Sequence, residues 1–582
     1  MSAGQYRSLV GQLALVPAWA EQQLAFVFAD GVKVLASIEP LASGFISDQL
    51  RASPLVYLAA AIDRLHRDAN RTAGTSHQMF GRVVGTAVRA LTAGIARGVL
   101  RDGRTLSIGE FAADGIYLLD ESPDRLPPVA GMINSVPGNP LSHAQLLARE
   151  FGIPTIGVAQ DLLEALMAHA GERVLLIVSA AGVIHLAVDT APENADTSTS
   201  AGAIPAPPAR EPATLDLTHQ DIVDLSALRA SDSGRIVGPK SARLGQLKAF
   251  YPAAVAGAVA VPFGAFRTLL ERPASDGSGS MYDYVTARLR ALEQQPMTGR
   301  AETAEALHQT LFDWIQRQPV PELLAGRIRA ALEGQLGAHR VAVFIRSDSN
   351  VEDQQSFSGA GLNLTLPNVV GIDNILAAIP TVWASPYSQR AFRWRRARGP
   401  ADALIYPAVL LQRSVNVEKS GVMITQDIDT GDGAWLSIAT NEGVGGGVDG
   451  RAAEVLRVHP ASGRVRLLAQ ATAPTRKQLN PEGGISVSLA SGNDVVLRHE
   501  EIAQLISLAQ SLPEHAQALL GGDLQSVAAD IEFGFEQGRL RLFQIRPLAD
   551  IKHHQSHAFM QSLGSVEPDR STRRVHLDEP LD

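Results

Sequence analysis

In the stretch Asn139 to Gly157, NPLSHAQLLAREFGIPTIG, one histidine stands directly after Ser142 and shortly after Pro140. Ser142 is a favoured N-cap type and Leu146, Leu147 and Phe151 recur behind it, so the spacing predicts a helix that begins at His143. At that position the imidazole lies among backbone N–H groups with no intrahelical partner, at the positive end of the helix dipole. Such an end favours the neutral ring and any anion that arrives. A neutral imidazole is a nucleophile, and a phosphoryl group transferred onto it would be held by the helix N-terminus. A surface histidine capping a helix has the same local pattern.

Two further constellations carry polyphosphate chemistry. In VAVFIRSDSNVEDQQSFSGAGL the alternation of Val341, Val343 and Ile345 predicts a strand that delivers Arg346 to a loop of small residues. A guanidinium offers paired donors to phosphate, and a loop of that kind lets backbone N–H groups approach. A structural pair between Arg346 and Asp348 fits the same residues. In DIEFGFEQGRLRLFQIRPL, a three-residue turn at Glu536, Gln537 and Gly538 predicts a hairpin that pairs Asp530 with Gln544 and Glu532 with Leu542. Asp530, Glu532, Gln544 and Arg546 then share one sheet face. Two carboxylates, an amide oxygen and an arginine on one face suit Mg²⁺ bridging phosphates, with the arginine on a phosphate. A surface charge cluster is the alternative, and a one-residue change in turn length would scatter the set.

These residues have to be positioned by a long chain. At 582 residues it exceeds one core and calls for roughly three to four domains. Apolar residues make up 45% and charged residues 19%, as in compact domains, and a formal charge of −9 argues against nucleic acid as a partner. Cysteine is absent, which excludes disulfides, thiolate metal sites and cysteine nucleophiles. The N-terminal residues lack a signal-peptide pattern, and no run of about 18 apolar residues suggests a membrane span, so a cytoplasmic location is expected.

Composition divides the chain. Residues 1–80 carry helical spacing, as in Leu55, Leu58, Ile62, Leu65 and Ala69. Residues 81–189 turn to short apolar runs broken by Gly and Pro, closing on RVLLIVSAAGVIHLAV, two strand-like runs around a turn. Residues 190–215, rich in Ala, Pro, Ser and Thr, read as a flexible linker that extends at about 3.1 Å per residue where polyproline-like. Residues 216–550 are long enough for one two-lobed domain or two domains. The tail, 551–582, is polar, and its His553, His554 and His557 have no further ligand at usable spacing.

The words around His143 resemble the phosphohistidine, or swivelling, domain of the phosphoenolpyruvate synthase and pyruvate, phosphate dikinase superfamily. There a Ser-His-Ala start, an Ala-Arg-Glu end and a Gly-Ile-Pro exit surround the phosphorylated histidine. Synthase-type members carry Gly-Gly-x-Thr-Ser-His. This chain has Gly138, Asn139, Pro140, Leu141, Ser142 and His143, so Leu141 cannot supply the threonine hydroxyl, and Leu-Ser-His is more similar to glucan, water dikinases. From about residue 235 to 550, VGPKSARLGQLKAF, IRSDSNVEDQQSFSGAGL, LLQRSVNVEKSGVMIT and DIEFGFEQGRLRLFQIRP resemble the ATP-grasp nucleotide-binding domain of the same enzymes.

The resemblance implies a multidomain α/β and α+β fold: a helical N-terminal segment, a swivelling phosphohistidine α/β domain and a C-terminal ATP-grasp domain. It implies ATP and Mg²⁺, with Lys240 and Arg346 on ATP phosphates, Gln412 near the adenine or ribose end, Glu532 and Gln544 on Mg²⁺, and Arg546 on a phosphate. In NEGVGGGVDGR the family's Gly-Leu-Gly-Glu becomes Gly443, Val444, Gly445, Gly446, and Glu442 is the residue that could replace the lost carboxylate. The order, histidine domain before nucleotide domain, is that of the C-terminal half of the water dikinases. The function implied is phosphoryl transfer from ATP to His143 and on to an acceptor, which could be a glucan, a small molecule or a protein. A phosphocarrier half-enzyme and a nucleotide-binding module without turnover are the alternatives.

Overall fold

The computed structural model describes residues 3–548 and 574–576, apart from 14, 74–76, 85–87, 107–109, 121, 124–125, 136–140, 180–181, 190–214, 296, 338–340, 352–363, 397–403, 430, 447–450, 452, 493–494 and 522–526. The expected linker, the GAGL segment of the Arg346 loop and the three tail histidines therefore lie outside the described residues. Among those described, no helix is long and apolar enough to cross a membrane.

The N-terminal segment is helical, with helices at Ala3–Leu13, Leu15–Ala36, Phe45–Arg51 and Leu55–Ala73. The stripe read on the last of these is buried at Ile62 and Ala69 and half-buried at Leu55 and Leu65, whereas Leu58 is exposed. A nine-stranded mixed sheet follows. Its spatial order is Arg82–Val84, His77–Met79, Ile184–Val188, Arg173–Val178, Gly94–Asp102, Gly115–Leu119, Gly131–Asn134, Thr155–Val158 and Val88–Thr92. The sheet thus begins at His77, ahead of residue 81. The two runs of RVLLIVSAAGVIHLAV pair antiparallel, with Gly182 at φ 73° in the turn between them.

Helix α1, His143–Glu150, covers one face of this sheet, on which Tyr117, Leu119 and Met132 meet Ala144, Leu147 and Ala148. The helix starts at the residue its sequence predicts. Ser142 is the N-cap, in extended conformation, and its hydroxyl accepts the Gln145 N–H.

Two antiparallel sheets build the second half. The five-stranded sheet runs in the order Val223–Asp224, β1 (Ala258–Val261), β4 (Pro407–Arg413), β2 (Ala342–Ser349), β3 (Thr365–Val370). Helix α2, Pro239–Phe250, packs beside it. The six-stranded sheet runs β8 (Arg464–Ala469), β7 (Glu454–His459), β6 (Leu436–Glu442), β5 (Lys419–Ile424), β9 (Ala529–Glu536), β10 (Arg539–Pro547). A single buried cluster joins them: Val343, Ile345, Val409 and Leu411 from the first sheet and Met423, Ile438, Ile531 and Ile545 from the second. This is mixed α/β architecture in several sheets, as expected from the sequence.

The hairpin of β9 and β10 departs from the predicted register. Glu536 pairs with Arg539, leaving a two-residue turn in which Gln537 and Gly538 both have positive φ, 52° and 73°. A bulge then inserts Phe543, so that Glu532 pairs with Gln544 and Asp530 with Arg546. The shorter turn and the extra residue each shift the register by one residue in the same direction, two in all, so the pairs change but the same four side chains share one face.

Candidate active site

Arg346 lies inside β2, which continues through Ser347, Asp348 and Ser349, so it stands in the sheet and not in the loop of small residues expected after it, and its side chain crosses from the five-stranded to the six-stranded sheet. Its Nη1 donates to Gln412 Oε1 at 3.1 Å and to the Phe543 carbonyl at 3.0 Å. Its Nη2 donates to Gln544 Oε1 at 2.5 Å and lies 3.4 Å from Glu532 Oε2. Gln412 reaches it because Phe344, two residues before Arg346 on the same face, is the cross-strand partner of Gln412. The bulge at Phe543 leaves a carbonyl outside the strand ladder, and the guanidinium takes it. Four of the expected residues therefore meet at one point, and the carboxyamide nitrogen of Gln412 is buried there without a partner.

The expected pair between Arg346 and Asp348 is replaced by another contact. Asp348 is wholly buried and accepts the backbone N–H groups of Lys240 and Ser241 at 2.9 and 3.0 Å, so it caps the first turn of α2 from across the sheet. A Cβ on Gly238 would lie 2.2 Å from Asp348 Oδ1, so only glycine lets the two segments approach. The dipole end of α2 is thus filled by a carboxylate of the protein itself, and the Lys240 ammonium beside it donates to the Ser347 carbonyl at 2.9 Å.

Burial pushes the Asp348 carboxyl above its ordinary range, against the opposing pull of Lys240 and the two N–H donors. A raised acid pKa means that the fold binds the proton more tightly. The contribution of Asp348 to stability is then full below the ordinary carboxylate value and falls as pH rises toward the raised one. Asp348→Ala is expected to cost about 1–2 kcal/mol through the lost cap. Asp348→Asn should unfold with a flatter pH dependence through the acid range. Identical pH profiles for Asp348→Asn and the parent in thermal unfolding would contradict this.

The metal expectation is altered for one residue. Asp530 and Arg546 form a buried pair, Nε and Nη2 both 2.7 Å from Oδ2, with side chains 3% and 8% exposed. Asp530 is the counter-ion of Arg546, not a partner of Glu532. Glu532 and Gln544 remain as an oxygen pair facing Arg346. Among the described residues no group of three or more His, Asp or Glu could hold a metal ion. One carboxylate and one amide oxygen fit Mg²⁺, which keeps its waters and takes its other ligands from phosphates, and would not fit a metal that needs a full protein cage.

His143 heads α1 outside both of these sheets, but the helix also touches the six-stranded one. Leu141 and Leu146, 0% and 7% exposed, join Val422, Ile424, Ala439 and Val455 in one apolar cluster. Val422 pairs with Glu532 and Ile424 with Asp530, and cross-strand partners share a face. The helix therefore packs on the face of the sheet that carries Glu532, Gln544, Asp530 and Arg546. At its far end Arg149 donates to the Ile428 carbonyl at 3.3 Å and pairs with Asp429 at 3.2 Å.

The family model described as pyruvate phosphate dikinase, AMP/ATP-binding domain, matches residues 234–565. The chain belongs to this family. Relatives include a rifampicin phosphotransferase of a Streptomyces species, 28% identical over 342 residues, which are 57% of this chain and 36% of the relative. A phosphoenolpyruvate synthase of Neisseria meningitidis serogroup B is 26% identical over 344 residues, 55% of this chain and 41% of the relative. Another phosphoenolpyruvate synthase, from Pseudomonas aeruginosa, is 31% identical over 216 residues, 36% of this chain and 26% of the relative. The matches span less than half the length of these relatives.

Within this AMP/ATP-binding domain, the loop after β6 is explained by packing. Gly446 donates its N–H to Ser420 Oγ at 2.8 Å, and a Cβ there would lie 2.6 Å from the Asn441 Cβ. A glutamate cannot be placed at 446 without moving the strand. Glu442 is 3.2 Å from Arg476 and also takes the backbone N–H and hydroxyl of Ser491, so it ties the loop to the Thr475–Leu479 and Ile485–Leu489 hairpin. Gly446→Glu is expected to lower stability by about 1–3 kcal/mol without tightening ATP binding. Tighter binding at an unchanged melting temperature would contradict the packing argument.

Proposed function

We propose that this chain is a dikinase-type phosphotransferase: His143 receives the β-phosphoryl group of Mg-ATP and hands it to an acceptor hydroxyl. The observation that carries this reading is the packing of the His143 helix on the sheet face that bears Glu532 and Gln544, which lie one and two strands away from the covered residues Val422 and Ile424. Membership of an AMP/ATP-binding family supports nucleotide as the donor.

In the proposed first step the neutral imidazole attacks the β-phosphorus and the bond to the α-bridging oxygen breaks, so AMP leaves. The terminal phosphate is then released, to water or to phosphate, leaving one phosphoryl group on the ring. Lys240 and Arg346 neutralise charge on the polyphosphate, and Arg346 is already oriented by Gln412 and the Phe543 carbonyl before substrate arrives. Mg²⁺, held by Glu532 and Gln544, would supply further charge neutralisation between phosphates. The amide nitrogen of Gln412, buried beside Arg346 without a partner, supports a role as donor to the nucleotide, and Arg546, paired with Asp530, would add a second guanidinium on the same sheet face.

Relatives are named for rifampicin and for phosphoenolpyruvate synthesis, so a small molecule is a proposed acceptor beside a glucan. AMP formation from Mg-ATP, measured against a panel of glucans, pyruvate and hydroxyl-bearing small molecules, tests this. Catalytic AMP release with one acceptor supports it. Stoichiometric labelled protein with no acceptor would indicate a phosphocarrier that serves a partner protein, and bound, unchanged ATP a non-catalytic nucleotide-binding module.

A further inference from the structure

Helix α1 has two apolar sides with different partners. Ala144, Leu147 and Ala148 bury against its own sheet, whereas Leu146, with Leu141 just ahead of the helix, buries in a cluster whose other members all come from the second half of the chain. The single stripe expected of Leu146, Leu147 and Phe151 is in fact divided between two units. Arg149, on the Leu146 side and one turn from it, is only 12% exposed and reaches the Ile428 carbonyl and Asp429. Asp429 is itself held by Arg457, 2.8 Å away, and Arg457 also lies 3.1 Å from Asp427. A second contact, Arg390 to the Leu126 carbonyl at 3.2 Å, joins the same two units elsewhere.

None of these residues is among those that meet at Arg346. They fix where the helix that begins with His143 stands relative to that point. We propose that Leu141, Leu146 and Arg149 form the docking face by which the histidine-bearing unit engages the nucleotide-binding unit for loading of His143, with Asp429 setting its register. This rests on the phosphohistidine reading above. Leu141 and Leu146 supply non-directional burial that can separate and reform, and the Arg149–Asp429 pair supplies the direction that apolar contact lacks. Leu141, which replaces a hydroxyl-bearing residue of synthase-type relatives, takes its role from this contact. The four are positioning residues, so their loss should slow phosphoryl loading and leave nucleotide affinity alone.

The chain has no cysteine, so cysteines introduced at the exposed Val188 and Leu323 accept a donor and acceptor dye that report docking by energy transfer. In this background Leu146→Gln and Asp429→Arg disrupt the face from opposite units, and Arg149→Asp with Asp429→Arg exchanges the charges. Each single variant is expected to shift the energy-transfer efficiency and slow single-turnover labelling of His143 by tenfold or more, with Mg-ATP affinity within twofold of the parent. The charge exchange should recover at least part of both signals relative to Asp429→Arg. Parent-like energy transfer and labelling in both single variants would overturn the proposal. A parent protein that shows docking, loses it in the variants and yet takes no label would overturn the catalytic reading and uphold the contact.

Discussion

His143→Ala is expected to take no acid-labile, base-stable label from β-labelled Mg-ATP while binding ATP as the parent does. The residue opens α1 directly after its cap, Ser142, and alanine is at least as good a helix former there. The groups that meet at Arg346 belong to other sheets and keep their contacts. Removal of a covalent nucleophile costs on the order of 10⁶-fold in enzymes where it has been dissected, which places residual labelling below detection. Equilibrium ATP binding and single-turnover labelling, run side by side, separate the two effects. Label that persists in the variant would point to another nucleophile.

The second large effect is expected at the seam between the sheets. Glu532→Ala and Arg346→Ala should each slow labelling of His143 by about 10²–10³, the cost of removing one preorganised charge-stabilising group. Arg346→Ala also leaves acceptors on Gln412, Gln544 and Phe543 without their donor, so some of its loss will appear as reduced stability. Arg346→Lys distinguishes these contributions, since it keeps the charge and removes the planar fork that reaches both sheets at once. A near-parental melting temperature with slow labelling in Arg346→Lys assigns the effect to the fork. Parental labelling rates in Glu532→Ala and Arg346→Ala would remove both residues from the mechanism.

Local signals were readable where one short segment contains all that decides the outcome. Ser142 and the apolar residues after it are enough to start α1, and the Gly-containing turn is enough to pair the strands at Arg173–Val178 and Ile184–Val188. The hairpin was only half readable. Its turn has two residues in place of three, and the bulge at Phe543 that restores the shared face answers to Arg346, nearly 200 positions away. Asp348 was similarly opaque: its charge is spent on the first turn of α2, 108 residues earlier. The division of the α1 stripe between two sheets has no local signature, because Leu146 and Leu147 are chemically alike and only the distant strands decide which of them faces where.

Transfer of the β-phosphoryl of ATP to His143 is decided by the fate of position-specific labels in a single turnover with Mg-ATP. β-labelled ATP is expected to leave one acid-labile label per chain on the peptide containing His143, with an equal yield of AMP, and γ-labelled ATP to leave none. Retention of the γ label with release of ADP would contradict it.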